Sequence, residues 1–196
     1  MKKGEKRKQE LLKTAYEMFI TKGYENTSVD EIIDKAGIAK GTYYYYFASK
    51  EQMLEEVIDM MLAEQIKGAE AILNSDIPIP QKIVGIIASI RPGQSETPIT
   101  DALHSAENIL MHEKINKKII EEVLPLLVSV ANDGIEAGIF DCDNLPERIK
   151  IILIISNELF NETNYTQNDI EVFIDTTEKI LGAKKGTMAF IKDLIV

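Results

Sequence analysis

Apolar residues recur at helical spacing along almost the whole chain, separated by short polar, proline or glycine breaks. There is no sustained period-two alternation and no Asn-Gly or Asp-Gly hairpin turn, so the pattern predicts helices and no strands. Leu12, Ala15, Tyr16, Phe19 and Ile20 share one face from about Glu5 onward, and Gly23 stands where a glycine would end that helix. Ser28-Val29-Asp30-Glu31 is a capping-box pattern, in which the serine hydroxyl and the glutamate carboxylate satisfy otherwise free backbone N–H groups. The helix it opens is short, with Val29, Ile32, Ile33 and Ala36 apolar and Gly37 at its end. A turn at Ile38 leads into a second short helix, from about Ala39 to Tyr46. Ser49-Lys50-Glu51-Gln52 is a further capping box and opens a long helix, residues 50–73, carrying Met53, Leu54, Val57, Ile58, Met61 and Leu62. Two short helices on a tight glycine turn, braced by a preceding helix, form a helix-turn-helix arrangement.

The remainder continues in the same style. A break from Asn74 to Pro80 precedes a helix to about Ile90, and Thr97-Pro98 predicts an N-cap and a helix reaching Met111. The next helix, about Glu113 to Ala137, is expected to kink or divide at Pro125 and to end at Gly138. Helices from Pro146 to about Thr163, from the Thr166/Asp169 cap to Gly182, and from Thr187 to Leu194 complete the chain. The expected fold class is all-α, with roughly ten helices. An N-terminal three-helix unit with the helix-turn-helix, residues 1–50, is joined through helix 50–73 to a further helical body within residues 51–196.

Charge sharpens this division. The chain of 196 residues has a net charge of −10, which looks wrong for a nucleic-acid binder. Residues 1–50, however, hold nine lysines and Arg7 against seven acids, a balance of +3; residues 51–196 hold 12 basic and 25 acidic residues, a balance of −13. A phosphate-binding surface needs local positive charge, whatever the total. A single cysteine, Cys142, excludes an intrachain disulfide. The longest apolar run, Ile151 to Ile155, is far short of the ~20 residues that span a bilayer. No membrane partner is expected, and the chain reads as a cytoplasmic protein.

The most informative segment is Lys40-Gly41-Thr42-Tyr43-Tyr44-Tyr45-Tyr46-Phe47 with Lys50 beyond it. A helix entering the major groove brings its N-terminal residues to base edges while flanking groups hold phosphates. Lys40 supplies a flexible donor, Gly41 lets backbone approach closely, and Thr42 suits a phosphate or a thymine methyl. Tyrosine hydroxyls suit phosphate oxygens. Lys50 adds its charge to the positive end of the following helix. Phe47 lies one turn from Tyr43 and is expected in the core.

The combination Ser28-Val29-Asp30-Glu31-Ile32, Ala36-Gly37-Ile38, Lys40-Gly41-Thr42-x-Tyr44-x-Tyr46-Phe47-x-x-Lys50-x-x-x-Leu54 resembles the N-terminal domain of TetR-family transcriptional regulators over about residues 8–55. The resemblance implies a DNA-binding domain followed by a helical ligand-binding and dimerisation domain. It implies DNA contacts from Thr27 or Ser28 and from Lys40, Gly41, Thr42, Tyr44, Tyr46 and Lys50. Tyr43 stands where the family more often has an aliphatic residue, and either Tyr43 or Tyr45 is the ring that faces DNA. The implied partners are a pseudo-palindromic double-stranded operator, a second copy of the chain and a small-molecule effector. The resulting reading is a homodimeric repressor released by that effector, with a constitutive DNA-binding protein of the same fold as the alternative.

Two further sets of residues are candidates. Apolar stripes on the last two long helices, with Ile152, Leu159 and Phe160 on one and Phe173, Ile174 and Thr177 on the other, suit either a four-helix dimer interface or ordinary core. His104, Glu107, Asn108 and Met111 fall on one face of the helix from Pro98; with Met61 they are candidate ligand contacts. Two histidines and one cysteine without short paired spacing predict no metal site. No nucleophile–base motif or glycine-rich phosphate loop is found, so neither an enzyme nor a cofactor is expected.

Overall fold

Polar caps decide where the helices begin. In the computed structural model, which describes residues 3–160 and 165–192, the Ser28 capping box is fully formed. The Glu31 N–H donates to Ser28 Oγ (3.2 Å) and the Ser28 N–H donates to Glu31 Oε2 (2.8 Å). The Thr166 box is built in the same way with Asp169. At Ser49 only half of the expected box forms. Its hydroxyl accepts from the Gln52 N–H (3.2 Å), but Gln52 Oε1 takes the Ala48 N–H instead (2.7 Å).

The described residues contain nine α-helices and no strand. These are α1 (Lys3–Lys22), α2 (Val29–Ala36), α3 (Lys40–Tyr46), α4 (Lys50–Leu73), α5 (Ile79–Ser89), α6 (Thr97–Leu103), α7 (Ile109–Glu136), α8 (Leu145–Phe160) and α9 (Gln167–Leu181). Single 3-10 turns lie at 94–96, 106–108 and 189–191. The helix expected over Thr187–Leu194 is represented by the last of these, and its final residues, like the end of the helix expected to reach Thr163, lie outside the described residues.

Two compact units result. One gathers the described residues of 1–64 and 92–115, the other those of 65–91 and 116–196. The division expected at residue 50 therefore does not coincide with the units, because the first part of α4 and the whole of α6 cluster with the N-terminal helices. In the first unit α1 packs on both α2 and α6. Its buried residues include Leu11, Ala15, Phe19, Ile32, Tyr43, Phe47 and Leu54. Gly37 closes α2 at φ 61°, a left-handed conformation that L side chains adopt at a cost, and so makes the tight turn into α3.

The second unit is built around Val123, Leu127, Val130, Ile149, Ile170, Phe173 and Leu181. Gly182 also ends its helix left-handed, at φ 63°; an added Cβ there would lie 1.9 Å from the Asp141 carbonyl oxygen. Of the two outcomes expected at Pro125, a kink or a division, the division does not occur: α7 runs through it. A proline inside a helix costs ~3 kcal/mol. Burial of Val123, Leu127, Val130 and Ala131 around it supplies compensating contact.

The helix expected from Thr97 to Met111 is broken. Thr97 is not its cap: Glu96 occupies that place without a side-chain cap bond. The helix stops at Leu103, Ser105 turns extended, and the Asn108 amide donates to the Ala102 carbonyl (2.8 Å) and Ser105 Oγ (3.1 Å). These side-chain bonds satisfy groups that a continuing helix would have used, which favours the turn.

Candidate nucleic-acid interface

The site begins with which side of α3 faces inward. Tyr43 and Phe47 are one turn apart and fully buried, with ring centroids 5.7 Å apart. That phase turns Lys40, Gly41, Tyr44 and Tyr45 outward. Tyr44 is 50% exposed and Tyr45 81%. Thr42 and Tyr46 are half-buried at the margins. A Cβ added to Gly41 would meet nothing within 4 Å, so the backbone of the first turn is open to solvent.

Two expected contacts are corrected by this geometry. Tyr43 is part of the core: its hydroxyl donates to the Ser49 carbonyl (3.3 Å), and burial pushes its pKa up to about 12. Thr27 is only 1% exposed and its hydroxyl donates to the Gly23 carbonyl (2.8 Å), which braces the turn before α2. Ser28 is exposed and caps α2. The open choice between Tyr43 and Tyr45 falls to Tyr45 as the outward ring. The spacing of Tyr43 to Phe47, one helical turn, already carried the signal for that choice.

Four lysines of this unit are each held by a neighbour. Lys40 Nζ lies 2.8 Å from Asp30 Oδ1, and the bond raises the lysine's pKa. Lys35 pairs with Glu17 at 3.2 Å, and Lys22 pairs with Glu31. Lys50 Nζ sits 4.0 Å from the ring centroid of Tyr24, a cation–π contact that fixes its direction at the start of α4. Tyr24 is itself buried, edge-on to Phe19 at 5.2 Å, so the lysine rests on a rigid platform. The surface thus combines an open backbone, two exposed rings and oriented ammonium groups.

A family profile described as "Bacterial regulatory proteins, tetR family" matches residues 11–57, which span α1 to α3 and the start of α4. The structure is similar over 93% of its length to a TetR-family regulator from Mesorhizobium loti, 98% of which is covered, with TM-score 0.59 and 18% identity. The N-terminal helices of this chain thus match the tetR-family model. Among curated relatives, the "Fatty acid metabolism regulator protein" of Bacillus subtilis is 26% identical over 70% of this chain and 73% of its own length. The "HTH-type transcriptional repressor KstR2" of Mycolicibacterium smegmatis is 39% identical over 41% of this chain and 39% of its own. The likeness to the family thus lies in the helix-turn-helix unit, and the curated relatives of the chain are regulators.

The remaining sequence candidates are placed as follows. His104, Glu107, Asn108 and Met111 do not share a helical face, because α6 ends before them. Asn108 is buried and its amide is used internally; His104 stacks edge-on to His112 at 4.7 Å; Glu107 is exposed; Met61 is buried. A cleft of about 270 Å³ in the first unit is lined by Gly23, Tyr24, Asn26, Pro98, Asp101 and Ser105 among others, and by none of these five. Phe173, Ile174 and Thr177 lie in the core of the second unit, 7%, 7% and 2% exposed. Ile152, Leu159 and Phe160 are half-buried against that same core. The outward apolar residues lie beside these stripes instead: Ile151, Ile154 and Ile155 on α8 and Val172 on α9. No helix of the described residues is long and apolar enough to cross a membrane, and no described cluster of three or more metal-ligating side chains occurs.

Proposed function

We propose that this chain is a tetR-family regulator, a homodimeric repressor that binds a pseudo-palindromic operator and is released by a small-molecule effector. The observation that carries the DNA reading is the outward face of α3, where Lys40, Gly41, Tyr44 and Tyr45 stand exposed beside the fixed Lys50. Thr42 and Tyr46 at its margins and Ser28 at the start of α2 complete the contact set. A single seven-residue helix reads few base pairs, and a two-fold dimer doubles the readout over half-sites about one helical turn apart, or a multiple of that. The exposed isoleucines of α8 with Val172 of α9 are the proposed dimer surface. In this reading the second unit carries the regulatory and dimerisation roles. An effector acts only through its differential affinity for the two arrangements of the DNA-reading heads. The name of the Bacillus subtilis relative makes fatty-acyl compounds the first class to screen.

Fluorescence anisotropy with DNA from upstream of the protein's own gene, against a random duplex at two salt concentrations, tests this. Tight, salt-sensitive binding of two subunits per site is expected, weakened by the effector. Equal affinity for both duplexes at every salt concentration, with a monomer in solution, overturns it.

A further inference from the structure

Lys40 does not stand alone on α3. Its ammonium lies against the Asp30 carboxylate, on the first turn of α2, at 2.8 Å, and the two side chains are 61% and 71% exposed. An acid in the first turn of a helix is favourable to the helix dipole, which accounts for Asp30 being acidic but not for its pairing with a DNA-facing lysine. An exposed carboxylate at a phosphate-binding surface is unfavourable, since it repels the DNA backbone.

A lysine on a flexible four-carbon stem has three rotatable donors and turns to whichever phosphate is nearest. Asp30 occupies one of those donors and sets a negative charge beside the ammonium. Both effects weaken capture by a phosphate and leave two donors free. A base edge then becomes the better partner. Guanine presents the acceptors O6 and N7 in the major groove, and its paired cytosine presents an N4 donor that a carboxylate accepts. Side by side, an ammonium and a carboxylate match the major-groove edge of one G·C pair.

We propose that Asp30 is a specificity-determining residue, which holds Lys40 off the phosphates so that the pair reads one G·C base pair in each half-site. The proposal rests on α3 being the DNA-reading helix. Full-length wild type, Asp30→Asn, Lys40→Gln and the double variant are each mixed with a pool of random-sequence duplexes, and the bound DNA is sequenced. The selected duplex and a scrambled one are then titrated at several salt concentrations, with a thermal melt of each variant.

The wild type is expected to enrich a two-fold motif with a fixed G·C pair in each half. Asp30→Asn is expected to lose about tenfold of the preference at that pair. It should also bind the scrambled duplex more tightly, with a salt slope steeper by about one unit per head as Lys40 turns to a phosphate. Lys40→Gln should lose the same preference, and adding Asp30→Asn to it should lower that preference no further. A shared motif with unchanged scrambled-duplex affinity, accompanied only by a lower melting temperature, would overturn Asp30's role and leave a helix-dipole residue. A wild type that enriches no motif would instead overturn the DNA-reading assignment of α3, and this proposal with it.

Discussion

Neighbouring tyrosines of α3 have opposite roles. Tyr43 is buried against Phe47, whereas Tyr45 is the most exposed ring of the helix. Tyr43→Ala should therefore cost ~3–5 kcal/mol of folding stability through the cavity it leaves. Tyr45→Ala should stay within ~0.5 kcal/mol of wild type while lowering DNA affinity. Urea denaturation paired with anisotropy separates the two, and equal stability losses would refute the assignment of the core side. Gly41 offers a second contrast of this kind. With nothing near an added Cβ, Gly41→Ala should hold or raise stability by ~0.4–1 kcal/mol yet weaken DNA binding by blocking backbone approach. Lys50→Ala should reduce the magnitude of the salt slope by about one unit per head while affecting all DNA sequences alike.

At the scale of one element, α2 is held at its start by a carboxylate in three bonds. Glu31 is drawn down to a pKa of about 2, first by the Lys22 ammonium and then by the Ser28 N–H and hydroxyl. The folded state thus binds fewer protons than the unfolded state between about pH 2 and the ordinary glutamate value. Its contribution to stability is present above that ordinary value and is lost as pH falls through about 2. Asp169 in the α9 box is lowered by the same kind of bonds, from the Thr166 hydroxyl and N–H, and acts with the same sign. Melting temperatures followed from pH 6 to pH 2 should decline less steeply for Glu31→Gln than for wild type, starting from a lower value. Parallel curves would show that the carboxylate contributes nothing to the acid limb.

At the scale of the whole molecule, the exposed apolar residues of α8 and α9 are not those that helical stripes suggest. Phe173, Ile174 and Thr177 are consumed by the core, and Ile151, Ile154, Ile155 and Val172 remain outside. Ile155→Glu places a charge on that outward patch without touching the core. It should shift a dimer toward monomer in sedimentation velocity and abolish cooperative occupation of two half-sites, with helical content unchanged. A variant that sediments like wild type would remove α8 from the interface. Charge is distributed at this scale too. The +3 balance of residues 1–50 against the −13 balance of the rest concentrates the excess of positive charge in the N-terminal segment.

The sequence by itself determined most of the helices, the caps at Ser28 and Thr166, the glycine turn at Gly37 and the helix-turn-helix arrangement. Each depends on local chemistry: periodicity, side-chain-to-backbone bonds and backbone conformations acting within a few residues. Tertiary packing alone decided the rest. It turned Tyr43 inward and Tyr45 outward, and it buried Thr27. It kept Pro125 within a helix that local propensity would have broken. It assigned the α9 stripe to the core, and it joined α6 to the N-terminal unit. Those outcomes depend on which apolar surfaces meet across long separations in the chain. Burial is worth ~1.5–3 kcal/mol for each large side chain, so several buried together outweigh the local preferences they override.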